Sequence, residues 1–429
     1  MKVSRLVCAV ALVALARLAF AGWLELAPDE AYYARWAAPP ISLAHRDHPP
    51  AVAFMIAATT WALGPTERGV RLAAILCAAL TSLLAYALAR ESGLERRTAL
   101  GAPLLATVTL LPAAGAVVIT PDAPLMLFWT AGALMLLRAL RAGGRGYWIA
   151  FGLATGAALW SKHSGLMLLA AAWIAAALRR ERRWWPGPAA ATFVALLVAA
   201  PWLAAEAGAG FESFRFQLAH AFAPGPDPPW APLARLGELG LAQVALLTPV
   251  VAWEGAVFLR RPSSDPTRGG LYALAVVPLV AVAISALARH PEPSWAAPAY
   301  PALVVGALWA WSRRPSPSRR IVAVAGVATA LSLAAIVHVH AVTPFLPLEP
   351  QTDPTSRLHG WRSLVVQLGR RRPVAAADYG VAAELWYYTR GRADVRVMRP
   401  SPSWPRFVAR RADGAVVREV PIRLGDAAP

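Results

Sequence analysis

Residues 27–51 read APDEAYYARWAAPPISLAHRDHPPA and place Asp29, Glu30, His45, Asp47 and His48 between two strongly apolar segments. The nature of those flanks decides what kind of chain this is. Of 429 residues, 57% are hydrophobic and only 15% charged, with mean hydropathy +0.47. Long uncharged runs recur, a composition that requires an apolar solvent. The chain reads as an α-helical polytopic membrane protein.

A net charge of +18 invites a nucleic-acid reading. The arginines, however, form neither a helix face nor an aromatic-interleaved patch. They fall in short clusters between apolar runs: Arg90/Arg96/Arg97, Arg138/Arg141/Arg145, Arg179/Arg180/Arg182/Arg183, Arg260/Arg261/Arg268 and Arg313/Arg314/Arg319/Arg320. This is the positive-inside pattern, which makes those loops cytoplasmic and argues against nucleic acid as a partner.

Segments of roughly 17 to 25 residues give about eleven spans, near 4–24, 68–89, 98–119, 122–140, 147–160, 164–178, 187–205, 236–259, 270–288, 295–312 and 321–342. Ala19-Phe20-Ala21 imitates a cleavage site, but the apolar run continues through Trp23 and Leu24, so an uncleaved first span is preferred. Residues 50–64 are too short to cross and are bracketed by proline and Gly-Pro, which predicts a re-entrant or interfacial helix. Every arginine cluster then lies on one side. The histidines, the loop 25–67 and the tail from 343 onward lie on the other.

The chain divides into a transmembrane region, 1–342, and a water-compatible tail, 343–429. The tail predicts a helix over 356–371, a strand in PVAAAD, a helix in YGVAAELWYYT, a strand in ADVRVM and a last apolar alternation in GAVVREVPIRL. Together they suggest a small α/β domain on the outer face. Cys8 and Cys77 sit in apolar spans, so no disulfide framework or thiolate metal site is expected.

The external polar residues carry the chemistry. Asp29 and Glu30 open a helix after Pro28, where carboxylates cap free N–H groups. A carboxylate there can also take a proton from an attacking hydroxyl, and both are catalytic candidates, with Asp29 the base. Asp47 and His48 precede Pro49-Pro50, and a helix N-terminus beside an imidazolium suits a phosphate. Lys162, the only lysine besides Lys2, joins His48 as a phosphate-binding candidate because its ammonium is a compact point charge. Asp122 in TPDAP, His163 in SKHSG, and His290, Glu292 and Trp295 in RHPEPSW are candidates for positioning substrate, together with Asp47. Turn formation explains Asp122 equally well, and interfacial anchoring explains Trp295. Glu254 and Arg17 lie near span ends and read as structural. His338 and His340 are the nearest thing to a metal pair, but no ligand set is completed. A divalent cation is compatible with these residue types, but none is required.

No P-loop, dinucleotide fingerprint, HExxH or GxSxG occurs, which argues against a nucleotide-fuelled reaction. An already activated substrate at the outer leaflet fits better. A non-enzymatic lipid flippase or transporter is the alternative, although such proteins favour mid-membrane charges and repeated halves.

In order along the chain come PDEAYYARWA, DHPPAVAFMI, GPTERGVRLAAIL, TPDAPLMLFW, LWSKHSGLMLL and HPEPSWAAPAYPAL, then DPTSRLHGWRSL and AADYGVAAELWYYT. This ordered set resembles the family 39 membrane glycosyltransferases of the C-type superfamily, which group protein O-mannosyltransferases with lipid A aminoarabinose transferases. The resemblance implies a polyprenyl-phosphate sugar donor, an acceptor hydroxyl on lipid, glycan or protein, inversion at the anomeric carbon, and a bacterial inner-membrane location with an extracytoplasmic site. It places the general base at Asp29. The pair before Pro-Pro is often Glu-Lys in the aminoarabinose transferases and is Asp47-His48 here, which leaves the phosphate contact and the sugar open.

Overall fold

The computed structural model describes residues 3–179, 182–223, 227–263, 265–369, 374–392, 394–398, 406–411 and 413–424. Arg180, the end of the predicted tail helix at Arg371, and Pro373 and Ala393 of the two predicted strands lie outside them.

The molecule is mostly helical. Among the described residues six helices are long and apolar enough to cross a membrane: Val3–Ala21, Glu67–Glu91, Asp122–Ala142, Pro186–Gly208, Pro266–Ala288 and Pro317–Val342. Shorter apolar helices, among them Arg145–Ser161, Leu166–Ala177 and Tyr300–Ser312, pack between them. Their core joins Trp129, Phe151 and Phe258 with many leucines and alanines. Between lipid-embedded helices van der Waals contact must replace the hydrophobic effect, and small residues permit it. Gly152 and Gly156 show this on the helix Arg145–Ser161. A Cβ on Gly152 would meet the Ala191 carbonyl oxygen at 2.7 Å, and one on Gly156 would meet Val198 Cβ at 2.5 Å.

Two of the predicted spans are interrupted. The segment 98–119 breaks at Thr109 into the helices Gly101–Val108 and Leu110–Gly115. The segment 236–259 turns by 115° between Ala231–Leu247 and Pro249–Leu259. Pro249 lacks an N–H and crowds the residue before it, and Thr248 takes φ 74. The stretch 206–235, between the predicted spans 187–205 and 236–259, contains a helix, Glu212–Phe222. The expected non-spanning helix is Ala51–Leu63, 13 residues long, ended by Gly64 at φ 74.

The tail forms a helix, Trp361–Leu368, and strand β1, Val374–Ala376, followed by the helix Tyr379–Tyr388 and strand β2, Val395–Val397. Strands β3, Arg406–Arg410, and β4, Val416–Leu424, complete a mixed sheet of order β2-β1-β4-β3. Strand β1 pairs parallel to β2 with Val374 opposite Val395, and antiparallel to β4 with Val374 opposite Leu424. Strand β3 was not anticipated. Its hydrophobic alternation is short and is followed by arginines. Trp361, Leu364, Val381, Leu385 and Ile422 form the core beneath the sheet.

The tail is docked on the opening stretch. The Glu25 carboxylate accepts the backbone N–H groups of Trp361 at 2.7 Å and Arg362 at 3.0 Å. The Tyr388 hydroxyl accepts from Leu26 N at 2.7 Å and donates to Glu67 at 3.1 Å, and Arg362 also pairs with Glu67.

Candidate functional site

Pro28 at the first helical position starts the helix Pro28–Trp36 and puts Asp29 and Glu30 in its first turn, on different sides. Glu30 is fully buried. Its carboxylate accepts from Ala27 N at 2.9 Å, Ile119 N at 3.1 Å and the Arg71 guanidinium at 2.6–3.1 Å. Arg71, equally buried, also donates to the carbonyls of Ala21, Leu24 and Glu25 at 2.7–2.9 Å. The catalytic expectation for Glu30 is therefore corrected. Its oxygens are taken up by a saturated buried pair that ties the opening stretch to the helix Glu67–Glu91.

Asp29 is half-buried, and its Oδ1 accepts from the Tyr379 hydroxyl at 2.9 Å. Burial and the neighbouring carboxylate raise the Tyr379 phenol above its usual range, so it stays a donor at neutral pH. The Tyr379 ring also meets Tyr32 edge-on at 4.9 Å, and Tyr32 and Tyr33 each pack on Trp36 at 5.0 Å. His45 stacks on Trp36 at 3.8 Å. The result is an aromatic wall beside Asp29.

Asp47 lies opposite, 3.4 Å from the Tyr32 hydroxyl, and burial pushes its carboxyl up to about 6. The Gln217 amide donates to the Asp47 carbonyl at 2.7 Å and stands 3.4 Å from His48 Nδ1. His48 titrates well below the ordinary histidine range because it is buried, and Lys162, His163 and His220 add to the shift. The expected imidazolium is thus a neutral imidazole, which offers a hydrogen bond to an anion rather than a charge.

Lys162 follows the helix Arg145–Ser161 and reaches back to Asp122, at the start of the preceding helix Asp122–Ala142, with Nζ 2.8 and 3.1 Å from its two carboxylate oxygens. The pair is partly exposed, Asp122 more than Lys162. His163 sits beside this pair in sequence, with Nε2 3.0 Å from Ser213 Oγ and its ring edge-on to the stacked Trp202 and Phe214. Glu292 approaches His220 at 4.0 Å, and Trp295 meets the same imidazole at 5.3 Å. His290 instead turns outward to Glu238 at 2.6 Å, both exposed, and stands apart from the cluster.

The remaining candidates thus assemble from five distant segments. Asp47, Asp29, Asp122 and Tyr379 all act electrostatically on Tyr33. Lys162, His163 and His220 act on His48. Sequence reading missed Tyr379, Gln217 and His220, whose isolated polar character inside ordinary helices carries no local signal. Arg71 was legible in principle as an arginine opening an apolar run.

Below Asp122 opens a cavity of about 350 Å³, walled by alanines and bounded by Thr109, Thr120, Glu292 and Tyr300. His340 is engaged by Asp353 at 3.2 Å. Among the described residues no three His, Cys, Asp or Glu side chains converge on a possible metal position.

The fold defines a class, the polytopic membrane proteins with the C-type glycosyltransferase fold. ArnT from Cupriavidus metallidurans bound to undecaprenyl phosphate superposes with TM-score 0.66 at 17% identity, covering 98% of both chains. The Archaeoglobus fulgidus oligosaccharyltransferase in complex with Zn and sulfate reaches TM-score 0.54 at 13% identity over 89% of this chain and 57% of its own. Residues 47–204 match the family model described as dolichyl-phosphate-mannose-protein mannosyltransferase. The undecaprenyl phosphate-alpha-4-amino-4-deoxy-L-arabinose arabinosyl transferase of Pseudomonas aeruginosa (strain UCBPP-PA14) is 32% identical over 212 residues, 45% of this chain and 38% of that protein. The match therefore spans well under half the length of that relative. Within the class, these findings together support family 39 as the chain's kin.

Proposed function

We propose that this chain is an inverting glycosyltransferase that moves a sugar from a polyprenyl-phosphate carrier to an acceptor hydroxyl at the outer face of a bacterial inner membrane. The observation that carries this reading is Asp29, a half-buried carboxylate held by Tyr379 beside an aromatic wall, facing Asp47, His48 and the Asp122–Lys162 pair. Asp29 takes the proton of the acceptor hydroxyl as its oxygen attacks the anomeric carbon. The bond from that carbon to the phosphate oxygen breaks, and the polyprenyl phosphate leaves. Lys162 offsets the charge gathering on the leaving phosphate, and the neutral imidazole of His48 offers it a hydrogen bond. Asp47, Asp122 and Glu292 orient sugar or acceptor, His163 braces the Lys162 turn, and Trp295 borders the entry. The alanine-walled cavity below Asp122 suits an isoprenoid chain.

In this reading about eleven apolar segments enter the bilayer, two of them interrupted, the arginine clusters face the cytoplasm, and 343–429 is an extracytoplasmic domain that completes the site through Tyr379. The curated relatives and the fold neighbour bound to undecaprenyl phosphate support it. The test is purified protein in liposomes carrying polyprenyl-phosphate sugars extracted from the native envelope. Transfer at one face, abolished by Asp29→Asn with unchanged membrane insertion, is expected. Movement of the lipid-linked sugar between leaflets without its consumption points instead to a flippase.

A further inference from the structure

The opposite end of the helix bundle holds a second, larger recess that the proposed reaction does not use. Its volume is about 960 Å³, and it opens where the helix Glu67–Glu91 ends, the helices Asp122–Ala142 and Tyr300–Ser312 end, and Pro266–Ala288 and Pro317–Val342 begin. Five arginines line it, Arg97, Arg141, Arg268, Arg313 and Arg320, against the carboxylates of Glu91, Glu95 and Asp265.

Two of those carboxylates are already neutralised. Glu91 is held by Arg141 at 2.6 Å and by Arg138 at 3.2 Å from outside the recess. Asp265 caps its helix by accepting Arg268 N at 2.9 Å and lies 3.7 Å from the Arg268 guanidinium. Arg97 and Arg320 make no ion pair among the described residues. The Trp309 ring carries the Arg268 guanidinium at 5.3 Å and that of Arg313 at 5.2 Å, which holds both heads at the rim. The buried indole N–H of Trp311, also a lining residue, has no hydrogen-bond partner. Preplaced cations, a spare donor and a roomy polar recess at the helix ends make a phosphoryl-anion site. Basic pockets between membrane helices on the cytoplasmic side hold anionic headgroups in this manner.

We propose that this recess binds the headgroup of an anionic phospholipid of the cytoplasmic leaflet. Guanidiniums grip phosphate in a bidentate fashion, and the apolar Trp309 and Trp311 side chains line the same recess beside them. The proposal depends on the arginine-rich end facing the cytoplasm and is independent of the glycosyl-transfer reading.

The test uses the full chain in nanodiscs of phosphatidylcholine with a minor share of cardiolipin, followed by native mass spectrometry of the released protein. Selective retention of cardiolipin over phosphatidylcholine is expected, weakened about ten- to thirtyfold in Arg97→Gln/Arg320→Gln, with lipid-free melting and sugar transfer unchanged. Equal retention of both lipids overturns the proposal, as does cardiolipin retention that the substitutions leave intact. A separate arm adds inorganic phosphate to lipid-free protein in detergent. Thermal protection by phosphate equal to that by cardiolipin overturns the lipid assignment in favour of a soluble phosphoryl ligand.

Discussion

Tyr379 donates its hydroxyl to Asp29 Oδ1 at 2.9 Å across 350 positions of sequence. The contact joins the sheet-bearing tail to the opening helix and fixes which way the candidate base points. Removing that hydroxyl frees Asp29 to rotate without removing its charge. Tyr379→Phe is expected to lower kcat about tenfold with little change in donor KM, whereas Asp29→Asn costs about 100- to 10,000-fold. Steady-state kinetics of the two variants check this. A Tyr379→Phe enzyme with wild-type kcat across pH would remove Tyr379 from the positioning role.

The Glu30–Arg71 pair is expected to govern folding rather than turnover. Breaking a buried pair strands a charge without solvent, at about 3–5 kcal/mol. Glu30→Gln and Arg71→Met should both lower the melting temperature and the yield of monodisperse protein. Arg71→Lys is expected to fail as well, since one ammonium cannot reach Glu30 and three carbonyls from a single planar fork. Thermal unfolding in detergent measures the effect.

Asp47 is expected to make stability and donor affinity pH-dependent. Its folded pKa, about 6, lies above the ordinary carboxylate value because burial disfavours the anion. The protonated form therefore adds stability that is fully present below about pH 4 and lost as pH rises through about 6, at most about 3 kcal/mol before solvent screening. Over the same window the new negative charge should repel the donor phosphate and raise donor KM. Asp47→Asn is expected to flatten both profiles; a KM that still rises through pH 6 in that variant assigns the titration elsewhere.

Glu384, in the helix Tyr379–Tyr388, is fully buried, and neither carboxylate oxygen has a hydrogen-bond partner. Burial, reinforced by Glu30 and Glu25, raises its pKa well above the usual range, so the folded protein holds it protonated. The sign is the same as for Asp47: its contribution is complete at acidic pH and is lost as pH rises through the folded value. Glu384→Gln should remove that alkaline loss. Glu384→Met should stabilise the protein at every pH by about 1–3 kcal/mol, because a desolvated polar group is replaced by packing. Melting curves from neutral to alkaline pH decide between these outcomes.

Much of this was legible along the chain because the controlling physics is local. A run of apolar residues long enough to cross lipid must become a helix, and clusters of arginine mark the side that faces the cytoplasm. Pro28 starting one helix, Pro50 and Gly64 bounding another, and the polar character of residues 27–51 follow from backbone chemistry alone. The division of labour inside that stretch did not follow. Asp29 and Glu30 are neighbours in one helical turn, but a step of about 100° sends one toward Tyr379 and the other into the Arg71 pair. Likewise His48 looked cationic until its burial, with Lys162, His163 and His220 nearby, made it neutral, and Lys162 looked free until the fold set Asp122 beside it. Composition and period determine which segments enter the membrane. Which carboxylate remains available for chemistry is decided by partners 40 to 350 residues away, because desolvation and hydrogen bonding act through space and only the tertiary structure brings those groups together.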